Sequence, residues 1–105
     1  MNNERIARLL QFIEEDPHDP FNLYCLATEY KDHKPQKALG YYRQLLSDHP
    51  DYLPTYYHAA ELLIDMEQQD EAEKILQRGI ELAARQGDSL ALRELQNLQN
   101  NLLFD

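Results

Sequence analysis

The chain has 105 residues, of which 43% are hydrophobic and 28% charged, and its 19 acidic and 10 basic residues give a formal net charge of −9. This length fits one domain, and the composition is that of a folded protein and not of a disordered one. The negative charge argues against nucleic acid and against an anionic membrane surface as partners, and no run of about 18 apolar residues is present to span a bilayer.

All the predicted elements are helices. Glycine occurs only three times, and the many Leu, Ala, Glu, Gln and Arg residues lose little side-chain entropy in a helix, so we expect an all-α fold. The first helix is predicted over residues 4–15, with Ile6, Leu9, Leu10 and Ile13 at helical spacing, Phe12 beside them and a stop at Pro17. This polar first segment lacks the apolar core of a signal peptide, so we expect a cytoplasmic protein.

Four further helices are predicted to form two antiparallel hairpins. The apolar stripes of the first pair are Leu23, Leu26, Ala27 and Tyr30, then Ala38, Tyr42, Leu45 and Leu46. Those of the second pair are Tyr56, Ala59, Ala60 and Leu63, then Ala72, Leu76, Gly79 and Ile80. Short polar connections over residues 32–35 and 67–70 join the helices of each pair. The single cysteine, Cys25, lies in an apolar helical stretch and is predicted to pack in the core.

A sixth helix is predicted after Gly87, which is suited to end the fifth helix, with Asp88 or Ser89 as the capping residue. Its inner stripe is predicted to be Ala91, Leu95, Leu98 and Leu102. The helix also carries an uncharged face of side-chain amides between Gln96 and Asn101. Leu103 and Phe104 add more apolar surface than a terminal capping helix must bury. These two side chains are suited to seal a homodimer; the alternatives are that they fold back on the preceding helices or fray.

The helical pattern repeats along the chain. Pro17 and Pro50 lie 33 residues apart, and a further step of about that size reaches Ala84 at the end of the next helical pattern. The matching residues are Leu23, Leu26, Ala27, Tyr30, Ala38, Tyr42 and Pro50, then Tyr56, Ala59, Ala60, Leu63, Ala72 and Leu76. This pattern resembles the tetratricopeptide repeat (TPR), a helical hairpin of about 34 residues, in a small bacterial-type domain. Ala84 stands where proline is usual, and Leu63 and Leu76 replace commoner aromatic residues.

The resemblance implies a right-handed stack of α-helical hairpins, an α-solenoid, that forms a single TPR domain over residues 1–105. Residues 1–16 then resemble a half-repeat helix, 20–52 and 53–86 two full repeats, and 88–104 a capping helix. Terminal helices of this kind are expected because about three repeats are needed to bury a continuous core. A generic six-helix bundle is the alternative.

The resemblance also implies a scaffold for protein-protein interaction, whose concave groove binds a peptide or protein segment. The family's groove positions correspond here to Tyr24, Thr28, Lys31, Tyr57, Glu61 and Ile64, with His58 and Asp65 at the edge. Tyr24 and Tyr57 are either contact or packing residues, whereas Tyr30 and Tyr42 are predicted to pack. Only Lys31 suits a clamp for a terminal carboxylate, so we expect a neutral or basic partner and not an acidic C-terminal tail.

The sequence lacks the patterns typical of catalysis and metal binding. Its four histidines, His18, His33, His49 and His58, show neither His-x-x-x-His nor Glu-x-x-His spacing. The acidic groups at residues 14–16 and 70–73 are interpreted as solvated helix ends, and no phosphate-binding glycine loop is present. We therefore expect no enzyme activity, no cofactor and no metal.

Overall fold

The computed structural model describes residues 2–104, and these form six α-helices and no strand. The helices are α1 (Asn3–Glu15), α2 (Pro20–Tyr30), α3 (Pro35–Asp48), α4 (Pro54–Asp65), α5 (Gln69–Gln86) and α6 (Ser89–Phe104). The all-α class and the six predicted helices are confirmed. Met1 and Asp105, which belong to the predicted domain, lie outside the described residues. None of the six helices is long and apolar enough to cross a bilayer.

The helix starts follow from local capping chemistry. The side chains of Asn2, Asp19 and Asp88 each accept a hydrogen bond of 3.0 Å from a first-turn amide, at α1, α2 and α6 respectively. Of the two predicted capping residues of α6, Asp88 is therefore the one that caps. The first positions of three helices are prolines, Pro20, Pro35 and Pro54. A proline costs nothing there because the first-turn N–H has no partner within the helix.

Two helix ends use left-handed backbone. Gly87 follows α5 with φ +70°, as predicted for a C-terminal glycine. Glu67 follows α4 with φ +63°, and the amide of Gln68 donates back to the carbonyl of Leu63. The turn after α4 therefore takes the shape that glycine would favour, although a glutamate occupies it.

The described part of the chain divides into two compact units; the N-terminal unit ends at Tyr52 and the C-terminal unit begins at Leu53. In the N-terminal unit α2 packs against both α1 and α3. Its buried side chains are Ile6, Leu9, Leu26, Ala27, Tyr30, Ala38, Leu39, Tyr42, Leu45 and Leu46. Tyr30 and Tyr42 are packing residues, as predicted.

Several apolar side chains of the N-terminal unit lie further out than the sequence predicts, among them Leu10, Phe12 and Cys25. Leu10 and Phe12 are exposed, because α1 packs mainly on α2 and only its Ile6 and Leu9 side is covered. Cys25 was predicted in the core but is half-buried, at the margin of the α2 face that buries the residues after it. Burial raises the pKa of its thiol, with the charge of Arg5 acting in the opposite direction.

In the C-terminal unit α4 and α5 form a hairpin, and α6 packs on both. Its buried apolar side chains are Leu53, Tyr56, Ala59, Ala60, Leu62, Leu63, Ala72, Ile75, Leu76, Leu82, Ala83 and Leu95. Gly79 allows the closest approach: a Cβ atom at this position would lie only 2.8 Å from Cβ of Tyr56. A glycine here lets α4 and α5 come together without a clash.

The stripe predicted for α6 is only partly buried. Leu95 is 2% exposed, whereas Ala91, Leu98 and Leu102 are half-buried. Further along, Leu103 is 51% and Phe104 80% exposed. The alternative in which these last two side chains fold back on the preceding helices is therefore wrong.

Candidate functional site

A cavity of about 270 Å³ opens in the C-terminal unit between the N-terminal ends of α4 and α6. From α4 and the residue before it, the lining residues are Leu53, Pro54, Tyr57 and His58. From α6 and its cap, they are Asp88, Leu90, Ala91, Glu94 and Leu95. We call this the α4–α6 cavity. It combines an apolar lining with two carboxylates and an aromatic pair.

The aromatic pair is positioned by the packing of α4. Tyr56 is buried against α5 at Gly79, so the next two residues turn away from that contact. The rings of Tyr57 and His58 meet edge to face, with centroids 5.6 Å apart and an interplanar angle of 79°. Two of the predicted groove residues thus lie together in one cavity.

The α4–α6 cavity is apolar inside and acidic outside. Leu53 and Leu95 are buried, whereas Asp88 and Glu94 are exposed. Burial raises the pKa of the Tyr57 phenol, and the negative charges of Glu61 and Glu94 raise it further. Among residues 2–104, no lysine or arginine lines the cavity. Its two lining carboxylates are therefore suited to attract a cation.

A second cavity, of about 220 Å³, lies at the C-terminal ends of the same two helices. It is lined by Ile64, Gln69, Leu98, Asn101 and Leu102. Because like ends of α4 and α6 meet at the two cavities, these helices run in the same direction. Tyr57, Glu61 and Ile64 follow one another at helical spacing along α4. We call this surface, with its two cavities, the α4–α6 face.

The other predicted groove residues lie in the N-terminal unit. The rings of Tyr24 and Tyr52 meet edge to face at 5.7 Å, and burial raises the pKa of both phenols. The hydroxyl of Thr28 donates to the carbonyl of Tyr24 at 2.9 Å and lies 2.9 Å from the hydroxyl of Tyr42. Lys31 is half-buried at the end of α2. A binding role for Tyr24, Thr28 and Lys31 stays a prediction.

The family of this chain follows from its repeats. Residues 29–96 match the model of the tetratricopeptide repeat, which is more than half of the chain. The chain belongs to the tetratricopeptide repeat family. Proteins with this repeat generally mediate protein-protein interactions and are generally non-catalytic.

Solved TPR structures are similar to this chain. The crystal structure of a tetratricopeptide repeat domain protein from Salinibacter ruber has 35% sequence identity and a TM-score of 0.76, over 80% of this chain and 94% of that one. The solution NMR structure of a tetratricopeptide repeat domain protein from the same organism has 36% identity and a TM-score of 0.77, over 83% and 89%. No curated protein matches the chain.

The TPR pattern pointed to the α4 side of the cavity but missed the α6 side. The sequence predicts Asp88 only as a possible capping residue and Ala91 as part of an inner stripe, and it indicates no role for Leu90 or Glu94. A signal was available: Leu90 and Glu94 are four residues apart, so they share one side of α6. That this side lines a cavity depends on how α6 docks.

A third cavity, of about 370 Å³, is larger than these two, but most of its lining comes from one short stretch of the chain. It comprises residues 48–52 together with Pro20. Among the described residues, no three His, Cys, Asp or Glu side chains form a cluster that could hold a metal. The α4–α6 cavity is lined by two helices and by the buried side chains of Leu53 and Leu95, which makes it the stronger candidate for a binding site.

Thr28 and Thr55 provide a paired test of the buried hydroxyl groups. Replacing Thr28 by valine removes a hydrogen-bond partner of the fully buried Tyr42, so we expect the free energy of unfolding to fall by about 1–2 kcal/mol. Thr55 is also fully buried, but its hydroxyl has no hydrogen-bond partner within residues 2–104. Thr55→Val should therefore be neutral or stabilising by about 1 kcal/mol.

Urea unfolding followed by circular dichroism measures both changes on the same scale. Equal losses of stability in Thr28→Val and Thr55→Val would show that the hydrogen bond to Tyr42 does not contribute. A loss of stability in Thr28→Val alone would establish that the hydroxyl of Thr28 stabilises the α2–α3 hairpin.

Proposed function

We propose that this TPR chain is a non-catalytic scaffold that binds a peptide or protein segment on its α4–α6 face. The observation that carries the proposal is the α4–α6 cavity, which Tyr57 and His58 line together with the buried Leu53 and Leu95. Tyrosine suits such a contact because it buries a large rigid area and keeps a hydroxyl group for hydrogen bonding.

The size of the cavity favours a side chain as its occupant. At about 270 Å³ it falls just below the range of about 300–1,000 Å³ that holds whole small-molecule ligands and cofactors. The second cavity on the same face is smaller still. Two such cavities on parallel helices suit two side chains of one bound segment.

The charge of the face supports a neutral or basic partner. Glu61 and Glu94 lie close enough to Tyr57 to influence its ionisation, and the whole chain carries −9. An acidic C-terminal tail or a nucleic acid would be repelled. The proposal includes three further points. The protein is located in the cytoplasm, and it consists of two repeats, over residues 20–52 and 53–86, with a flanking helix on each side. Tyr24, Thr28 and Lys31 contribute to binding.

A displayed library of random peptides tests the proposal with the purified chain. We expect it to yield peptides whose dissociation constants, measured by fluorescence anisotropy, rise at least tenfold with Tyr57→Ala, about 1.4 kcal/mol. Tyr41→Ala is the matched control, since Tyr41 is also half-buried but stacks on Tyr30 in the other unit.

The proposal would be contradicted if the library yielded no binders, or only peptides that bind both tyrosine variants equally well. Circular dichroism of the variants is the control that checks whether they remain folded. Ile64→Ala extends the test to the second cavity, where loss of binding would indicate that the segment spans the face.

Self-assembly through α6 is a second candidate function, favoured by the exposure of three large apolar side chains on this one helix. They are Leu90, Leu103 and Phe104, at 59%, 51% and 80%. Exposed apolar surface of this kind often marks an interaction site. Light scattering after size exclusion should then detect a homodimer that Leu103→Ser with Phe104→Ser dissociates. A monomer at all concentrations would exclude it.

A further inference from the structure

The chemistry of the α4–α6 cavity is that of a site for one amphipathic cation. Its buried part is hydrocarbon from Leu53 and Leu95, and its outer part carries the carboxylate of Glu94. The half-buried Tyr57 lines the same cavity, and its ring meets that of His58 edge to face. A side chain with an apolar stem and a positively charged end group matches this combination of an apolar interior and an acidic outer part.

We propose that the α4–α6 cavity binds an arginine side chain of the partner segment. The inference rests on the proposed function and names the partner's chemistry. The stem of the arginine packs on Leu53 and Leu95, and its guanidinium group lies against the Tyr57 ring and pairs with the carboxylate of Glu94.

Charge complementarity selects a cation over other side chains. An acidic side chain would meet the charges of Glu94 and Asp88, with Glu61 close to the same tyrosine. An apolar side chain would fill the interior but leave the acidic opening without a counter-charge. No lysine or arginine of residues 2–104 lines the cavity.

Arginine fits better than lysine because its guanidinium group is planar. It stacks on an aromatic ring, donates two parallel hydrogen bonds to one carboxylate and is more weakly hydrated than an ammonium group. Lysine offers a compact and strongly hydrated charge, so it gains less from Tyr57.

Glu94 is the carboxylate that we assign to the guanidinium group. Asp88 lines the same cavity, but its carboxylate accepts a hydrogen bond of 3.0 Å from the amide of Ala91 and caps α6. Removing Asp88 would therefore disturb the helix as well as the charge. Glu94 lies in the second turn of α6, beyond the cap, so its replacement tests charge alone.

The test uses pentapeptide amides, acetyl-Gly-Leu-X-Leu-Gly, in which X is arginine, citrulline or lysine. Citrulline keeps the shape of arginine and removes its charge. Titrations followed by nuclear magnetic resonance of the labelled protein should give shifts at the amides of Tyr57, Ala91 and Glu94. We expect the arginine peptide to bind at least tenfold more tightly than the citrulline peptide, with lysine between them. Added salt should reduce this difference.

Variants of the protein separate the effect of the charge at Glu94 on peptide affinity from the effect of the net charge of the protein. Glu94→Gln should lower the affinity for the arginine peptide about tenfold and leave the citrulline peptide unaffected. Glu73→Gln is the matched control, because Glu73 is exposed on α5 and does not line the cavity. Tyr57→Leu keeps an apolar contact and should reduce the preference for arginine over lysine.

Equal affinity of the arginine and citrulline peptides, equal effects of Glu94→Gln and Glu73→Gln, or shifts elsewhere than at the cavity would each overturn the inference. Failure of the inference is distinguishable from failure of the proposed function. Library peptides that need Tyr57 but contain no required cation would leave the α4–α6 face as a binding site and remove arginine as its ligand.

Discussion

Replacing Leu95 by alanine is expected to lower the free energy of unfolding by about 3 kcal/mol. Leu95 is 2% exposed and is the one fully buried residue of α6 within the described chain. Its Cδ1 would lie 3.3 Å from a Cβ atom at Gly79, so it reaches the interface between α4 and α5. The substitution removes the main apolar contact of α6 and leaves a void that the neighbouring helices fill only partly.

Urea unfolding measures the total loss, and amide hydrogen exchange locates it. We expect exchange in α6 to accelerate more than in α5, because α6 opens first when its buried contact is gone. Leu90→Ala is the control: the same atoms are removed from the same helix, but Leu90 is 59% exposed, so the loss should stay below about 0.5 kcal/mol. Similar losses in both variants would refute a special role of Leu95.

Replacing Gly79 by alanine is expected to destabilise the chain by about 2 kcal/mol. The new Cβ atom would lie 2.8 Å from Cβ of Tyr56 and 3.1 Å from its Cγ, closer than carbon atoms pack. Because Cβ of Tyr56 is attached to the backbone of α4, the helices themselves must separate. Overpacking costs up to about 3 kcal/mol, and the better helix propensity of alanine returns about 1 kcal/mol.

Gly40→Ala is the matched control, and its effect should have the opposite sign. Gly40 lies inside α3, and a Cβ atom there would meet nothing within 4 Å. Only the helix propensity then changes, so we expect the free energy of unfolding to rise by about 1 kcal/mol. The free energies of unfolding of the two variants, measured by urea denaturation, should therefore differ by about 3 kcal/mol, the sum of the two effects. A gain in both would indicate that α4 and α5 are packed less closely around Tyr56.

Much of the candidate site was predictable from the sequence on the α4 side. Tyr57, Glu61 and Ile64 share one side of the helix because of their spacing, and this depends only on the geometry of the helix. The resemblance to TPR proteins predicts that this side of α4 binds a partner. The sequence did not reveal that Thr28, on the corresponding side of α2, hydrogen-bonds to Tyr42.

The α6 side of the site was harder to predict because docking decides it. Ala91, Leu98 and Leu102 have the spacing of a buried stripe, yet they line cavities, and only Leu95 between them is fully covered. Periodicity indicates which residues share a side of a helix. It does not indicate how much of that side a neighbouring helix covers.

By itself the sequence determined the all-α class, the six helices and the repeat family. These depend on local interactions, namely capping side chains, prolines in first turns and apolar residues at helical spacing. Only the tertiary structure decided that Cys25 is half-buried, that Phe104 is exposed and that Tyr57 and Glu94 line one cavity. Burial and cavity formation depend on contacts between helices that are separate in sequence, and local patterns do not specify these contacts.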